Sequence, residues 1–195
     1  MDDKLKHRLS RLEPEYYRGF AWVHWIMTIE DRRTGWLDSR FFCKFREVLD
    51  HATLRYKFAC PIFCLMPDHG HLLCCGLSEN TDERTAMKTF RGDVNECLNQ
   101  IGFEFQRQPY DHVLREEECE KSAIEDVAEY IARNPERREL VPTDGFAKYP
   151  YTGCLLPGYP NLELFQPDSW DIVWRTLSFL KRTECFHRPD PKYNL

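Results

Sequence analysis

Phe58-Ala59-Cys60-Pro61-Ile62-Phe63-Cys64-Leu65-Met66-Pro67-Asp68-His69-Gly70-His71-Leu72-Leu73-Cys74-Cys75-Gly76-Leu77 holds two apolar runs on either side of Pro67-Asp68. Runs of this length, rich in apolar residues and separated by a two-residue turn signal, predict an antiparallel hairpin, with one strand over 58–66 and the other over 69–77. Successive side chains of a strand point to opposite faces, so His69 and His71 share one face of the second strand. Two imidazoles side by side on a rigid strand can grip a divalent metal. A His-x-His pair is common by chance, so the pair carries weight only with a third ligand and a reactive group from elsewhere.

Outward from the hairpin, Phe20–Ile29 is rich in aromatic and β-branched residues and predicts a preceding strand. His24, between two tryptophans, reads as a strand residue facing the less buried side. Arg32-Arg33-Thr34-Gly35 predicts a turn. A helix is predicted from Asp38 or Ser39 to about Tyr56, with Phe41, Phe42, Phe45, Val48, Leu49 and Ala52 on its buried stripe. Thr81-Asp82-Glu83-Arg84 opens a second helix ending near Gly102, and 110–115 reads as a short strand. A third helix is predicted from about Glu117 to Arg133, closed by Asn134-Pro135, because proline disfavours helix at the residue before it. Its acidic run, Glu116 to Glu129, suits the positive end of a helix dipole. Residues 149–160, with Gly153, Pro157, Gly158 and Pro160, read as loop. Asp168 can cap a last helix through Lys181, whose apolar face (Trp170, Val173, Trp174, Leu177, Leu180) is a docking surface. Strand, helix, strand, strand, helix, strand, helix implies an α+β fold, a ferredoxin-like antiparallel sheet with packed helices.

The 195 residues suit one main domain, divided here into a lead-in over 1–18, a main α+β domain over 19–155 and a C-terminal extension over 156–195 with one amphipathic helix. No apolar stretch approaches the ~20 residues of a membrane span, and the charged start is unlike a signal peptide. The expected location is therefore cytoplasmic. Nine cysteines are an odd number, and several lie in apolar runs, so they read as reduced, buried small hydrophobes. The net charge of −5 argues against general nucleic-acid affinity but leaves room for a local basic groove.

Chemistry converges on the third helix. Tyr130 and Asn134 are four apart, on one helix face. A phenol of pKa about 10 is a weak nucleophile at neutral pH. A metal that neutralises phosphate charge makes its attack feasible. Asn134 offers a carbonyl oxygen as third ligand for a hard cation already held by two imidazoles. Each residue alone has a plainer reading: Tyr130 as a packing aromatic, Asn134 before Pro135 as a helix stop, His112 and Arg115 as structural or DNA-contacting groups.

Together, Met66-Pro67-Asp68-His69-Gly70-His71-Leu72-Leu73 and Tyr130-Ile131-x-x-Asn134-Pro135 resemble the single-tyrosine HUH transposases, in particular the REP-associated tyrosine transposases. Tyr110–Arg115, Leu140-Val141-Pro142 with Tyr149-Pro150, and the stretch from Tyr17 through Thr34-Gly35-Trp36-Leu37 fit the same layout, so the resemblance spans about 13–155. It implies an HUH nuclease fold and a metal-dependent endonuclease and strand transferase. Such an enzyme acts on single-stranded DNA, hairpin-bearing or repeat-associated, through a 5′-phosphotyrosine link. On this chain Tyr130 would be the nucleophile, His69, His71 and Asn134 would bind Mg²⁺ or Mn²⁺, and Arg107, Arg115, Arg133, Arg137 and Arg138 would contact phosphates. It also implies a nucleoid-associated bacterial protein, with a homodimer as one of two oligomeric states found among relatives. The chain departs from the family at Gly70, where a bulky hydrophobe normally anchors the strand; glycine there leaves a gap or admits close backbone approach. Two other readings stand beside this one: a domesticated relative that binds structured single-stranded DNA without cutting it, and a zinc module built on Cys60 and Cys64 with the histidines.

Overall fold

The structure is a computed structural model that describes residues 11–183. The first ten residues of the lead-in and the end of the extension, 184–195, lie outside the described residues. Ten elements follow in order: β1 Trp22–Thr28, α1 Ser39–Tyr56, β2 Phe58–Met66, β3 His69–Gly76, α2 Glu83–Asn99, β4 Tyr110–Val113, α3 Lys121–Ala132, α4 Asn134–Arg137, β5 Thr152–Leu155 and α5 Ser169–Thr183. The strands form one antiparallel sheet in the order β4-β1-β3-β2-β5. The first four follow the ferredoxin-like order, and β5 extends the β2 edge. Among the described residues no helix is long and apolar enough to cross a membrane.

Local chemistry explains the boundaries. Asp38 caps α1 by accepting the Phe41 N–H at 2.7 Å. Lys57, left-handed at φ 57°, ends the helix and turns the chain straight into β2. β2 and β3 are buried along their whole length because helices cover both faces of the sheet, which is why they read as continuous apolar runs. On one face α1 and α2 pack over Val23, Trp25, Met27, Phe63, Leu65 and Leu72. On the other, Ile124, Ala128 and Ile131 of α3 and Val173, Leu177 and Leu180 of α5 pack over Trp22, Ile62, Cys64, Leu73 and Cys75.

Four expectations are corrected. The stretch 149–160 is not all loop: Thr152–Leu155 is β5, paired with β2 in the register Cys64 to Thr152 and Phe63 to Gly153. Gly153 marks close approach, since a Cβ there would lie 2.5 Å from Cζ of Phe63. The third helix does not begin in the acidic run. Glu120 is extended (φ −62°, ψ 148°), Glu116–Cys119 forms a separate 3₁₀ turn, and α3 has no acidic residue in its first turn, so the dipole account of that run fails. Instead the Glu118 carboxylate accepts the Arg115 N–H at 2.8 Å and pairs with His112 Nε2 at 2.9 Å. The helix ends at Ala132, within a residue of its predicted end, but Asn134 is not a stop: the chain kinks at Arg133 (φ −82°, ψ 2°) and Asn134 opens α4, with Pro135 in the first turn where its missing N–H is harmless. Finally, a register shift in β2 between Ala59 and Ile62, at Pro61, reverses the alternation. Cys60 therefore faces the α1–α2 side and Cys64 the α3–α5 side, which removes the shared zinc site.

Gly70 leaves no gap. It lies opposite Leu65 in the β2–β3 ladder, and a Cβ at Gly70 would meet Leu65 Cδ2 at 2.9 Å. The Leu65 side chain occupies the space that a bulky residue at position 70 would take.

One buried carboxyl gives this core a pH dependence. Glu83, at the start of α2, is 1% exposed; one carboxylate oxygen accepts the Trp25 indole N–H at 3.2 Å, and the other has no hydrogen-bond partner among the described residues. Burial raises its pKa from 4.5 to about 8, against the lowering effects of the Trp25 indole and the Gly76 backbone. The folded state therefore holds a proton that the unfolded state has released between these values, so stability falls as pH rises from 4.5 to about 8, by about 1.4 kcal/mol per pH unit within that window. Urea unfolding at pH 5 and pH 8 should show this loss in wild type. Glu83→Gln should flatten the profile, and an unchanged slope in the variant would assign it elsewhere.

Candidate metal and nucleophile site

His69 and His71 project from β3 onto the α3–α5 face, and both are buried. Their Nε2 atoms lie 3.0 Å apart. The Pro67-Asp68 turn before them is held rigidly: the Trp36 indole donates to the Pro67 carbonyl at 2.6 Å, Ile29 N–H to the Asp68 carbonyl at 3.0 Å, and Arg32 pairs with the Asp68 carboxylate at 2.7 Å. The other Asp68 oxygen meets His69 Nδ1 at 2.6 Å. Burial works against the Asp68 charge, but the hydrogen bonds from His69 and Arg32 outweigh it and hold the carboxyl below its usual range.

A third imidazole completes the row. His24 of β1 is not on a less buried side, as its sequence context suggested; it is 8% exposed and faces the same side of the sheet. Its Nε2 lies 3.0 Å from His71 Nδ1, with the rings stacked at 5.2 Å. Burial lowers the pKa of His24 to about 4 and that of His71 to about 3, with the neighbouring imidazoles adding to the second shift. Burial also lowers His69, against the pull of Asp68. All three rings are therefore neutral at pH 7. With one proton per ring and Asp68 as acceptor, the hydrogen bonds run one way: His24 Nε2–H donates to His71 Nδ1, His71 Nε2–H to His69 Nε2, and His69 Nδ1–H to Asp68.

Tyr130 stands over this row from α3. Its ring meets His71 edge-on at 6.5 Å and His24 at 6.4 Å, and it remains 48% exposed, so a substrate can approach it. Arg137 donates to the Tyr130 carbonyl at 2.7 Å, and its guanidinium lies 4.2 Å over the Tyr130 ring. Asn134 is buried at the α3–α4 kink, its amide nitrogen donating to the carbonyls of Tyr130 at 3.0 Å and Ile131 at 3.1 Å, which directs Oδ1 the other way.

The five arginines have separate fates. Arg137 and Arg138 are exposed, and their charges bear on His71 and His69 respectively. Arg115 is exposed at the 3₁₀ turn after β4. Arg133 is held by Glu129, Glu136 and Asp144 at 2.6, 2.9 and 3.2 Å and lies over the Phe146 ring, so its charge is locally neutralised. Arg107 is not beside the histidines at all. It lines a cleft of about 890 Å³ with Arg84, Lys88, Arg91 and Trp25, and Trp25 belongs to the α1–α2 face.

Among the described residues no group of three or more His, Cys, Asp or Glu side chains is arranged for a metal ion. The pair itself brings together two neutral imidazoles, and Asn134 offers an amide oxygen from the α3–α4 kink. Ligands about 2.1 Å from an octahedral ion, at right angles to one another, lie about 3.0 Å apart. The Nε2 atoms of His69 and His71 have that separation, 3.0 Å.

Fold and site define an antiparallel α+β protein of ferredoxin-like strand order, with paired histidines on a central strand beneath a helix-borne tyrosine. No protein-family model matches the chain, and no curated protein matches it. Its fold is similar to that in the solved structure of a REP-associated tyrosine transposase bound to a REP hairpin. The TM-score is 0.60, over 74% of this chain and 82% of that one, at 15% sequence identity.

Proposed function

We propose that this chain is a metal-dependent nicking and joining enzyme of transposase type, acting on single-stranded DNA that carries a hairpin or repeat. The observation that carries the reading is the convergence of two neutral imidazole nitrogens, 3.0 Å apart, beneath a half-exposed tyrosine. The likeness of fold to a transposase bound to a hairpin supports the choice of substrate.

In this reading Tyr130 Oη bonds to the phosphorus of a phosphodiester, and the bond from phosphorus to the 3′-oxygen breaks. The phenol proton leaves to solvent, the 3′-oxygen takes up a proton, and the 5′ end remains as a phosphotyrosine. One ester replaces another, so neither water nor a nucleotide is consumed, and the freed 3′-hydroxyl can later reverse the step on the same or another strand. His69, His71 and Asn134 would hold Mg²⁺ or Mn²⁺, which when bound supplies positive charge to the non-bridging phosphate oxygens. Asp68 keeps His69 turned with Nε2 toward the site. Arg137 fixes the Tyr130 backbone, and with Arg138 it offers exposed cations to the flanking phosphates.

The reading is tested by incubating the protein with end-labelled hairpin-bearing single-stranded DNA and Mn²⁺, then resolving the products under denaturing conditions. A covalent protein–DNA adduct is expected, absent with EDTA, with DNA affinity falling as salt rises because counterions are released. DNA binding without any adduct under Mg²⁺ or Mn²⁺ would overturn the enzymatic reading and leave a binder. Binding that ignores salt would overturn both.

A further inference from the structure

The two histidines of the pair are braced in the same way, each on its far nitrogen. His69 Nδ1 is held by Asp68 at 2.6 Å and His71 Nδ1 by His24 at 3.0 Å, while the two Nε2 atoms face each other. Asp68 is next to the pair in sequence, whereas His24 arrives from another strand, 47 residues away. We infer that His24 is a positioning residue for the metal site, the reversible hydrogen-bond partner that lets His71 turn its Nε2 lone pair toward a cation. The inference rests on the metal reading of the preceding subsection.

Reversibility is what an imidazole contributes at this position. In the hydrogen-bonded row, His24 Nε2–H donates to His71 Nδ1, and the His71 proton sits on Nε2, where it blocks coordination. For His71 to ligate through Nε2, three proton positions change together. The Nε2 proton of His71 leaves to solvent, the Nε2 proton of His24 crosses to His71 Nδ1, and His24 takes a proton from solvent on its own Nδ1. One proton is released and one bound, so both buried rings stay neutral throughout. His24 then accepts from His71 Nδ1–H where it had donated before. A side chain that can only donate, or only accept, would serve one state and oppose the other. Such partners of metal-bound histidines set ring orientation and tautomer, and their loss weakens metal affinity about 10- to 100-fold.

His24 also stacks on His71 and touches the Tyr130 edge, so its removal must be separated from loss of packing. His24→Phe keeps the ring volume and removes the hydrogen bond. His24→Gln keeps a group that donates through its nitrogen or accepts through its oxygen after an amide flip. Full-length wild type and both variants would be titrated with Mn²⁺ alone, free Mn²⁺ being read by electron paramagnetic resonance, with thermal unfolding as the folding check. In ¹⁵N-labelled metal-free wild type, the nitrogen–nitrogen coupling across the His24–His71 hydrogen bond would be measured directly.

The expected result is a detectable coupling, Mn²⁺ affinity reduced about 10- to 100-fold in His24→Phe, and affinity well inside tenfold of wild type in His24→Gln. Equal binding by wild type and a folded His24→Phe would overturn the role of His24 while leaving the metal site intact. A folded His24→Gln as defective as His24→Phe would also overturn it, since imidazole would then be needed as a ligand. If His24→Phe fails to fold, the coupling and the His24→Gln titration decide, and an absent coupling overturns the inference. Wild type that takes up no Mn²⁺ although the coupling is present overturns the metal reading itself, and the role of His24 with it.

Discussion

Tyr130→Phe is expected to abolish the covalent protein–DNA adduct completely while leaving hairpin DNA binding close to wild type. In the proposed reaction the adduct contains the Tyr130 oxygen, so no rearrangement elsewhere would restore it. Strand cleavage should fall at least about 10³-fold, a conservative figure for loss of a nucleophile. The substitution is mild structurally: the ring is half exposed, and its edge-on contacts with His24 and His71 and its stacking under Arg137 are contacts of the ring, which phenylalanine keeps. Thermal stability should therefore shift little, which separates loss of chemistry from loss of fold. Denaturing gels of ³²P-labelled hairpin DNA with Mn²⁺ give the adduct, and filter binding gives the affinity. An adduct persisting in Tyr130→Phe would assign the nucleophile to another side chain. Lost binding would make Tyr130 a DNA-contacting residue first and a nucleophile second.

The interplay of sequence and structure is clearest in the central hairpin. The strands 58–66 and 69–77 read from sequence agree with β2 and β3 to within a residue, because long apolar runs around Pro67-Asp68 admit little else. The α1 boundary was equally legible, since Asp38 is a good cap and 3.6-residue periodicity follows at once. What failed was whatever depends on register between strands. Cys60 and Cys64 should share a face by counting, and the shift around Pro61 puts them on opposite faces. β5 was hidden because its Gly153 reads as a breaker, yet the glycine is there to admit the Phe63 ring from the neighbouring strand. His24 could not be placed because nothing local says that β1 lies antiparallel to β3 with His24 opposite Leu73, two pairs from His71 and on the same face.

The arginines teach the same point about charge. Arg133 and Arg137 sit four apart and looked equivalent as phosphate contacts. Arg133 falls among Glu129, Glu136 and Asp144, the first two at helical spacing from it, so two of its partners were readable in hindsight. Arg137 instead lies over the Tyr130 ring, with its charge bearing on His71, where in the proposed reaction it would face a phosphate. Net charge says little about either. A chain of −5 overall can still present Arg137 and Arg138 together at the site.

Gly70→Leu, the substitution that restores the bulky residue of the resembled family, is expected to destabilise this protein rather than improve it. A Cβ at position 70 already meets Leu65 Cδ2 at 2.9 Å, and the rest of a leucine would enter space filled by Leu65 in a fully buried core. Overpacking of this kind costs about 1–3 kcal/mol. Leu65→Ala alone opens a cavity in the same place and costs about 2–5 kcal/mol. The two positions are opposite one another in the β2–β3 ladder, so the pair Leu65→Ala with Gly70→Leu exchanges which strand supplies the side chain. Its loss should be smaller than the sum of the single losses by about 1–3 kcal/mol, the range found for contacting residues. Urea unfolding of the four proteins gives the coupling. Additive losses would mean that Leu65 does not occupy the space of the missing side chain, and that Gly70 leaves a gap in the packing of β3. A favourable coupling instead makes Gly70 one half of a compensated exchange across two strands. His69 and His71, whose side chains leave the opposite face of β3, then sit on a strand anchored as firmly as one with a bulky residue between them.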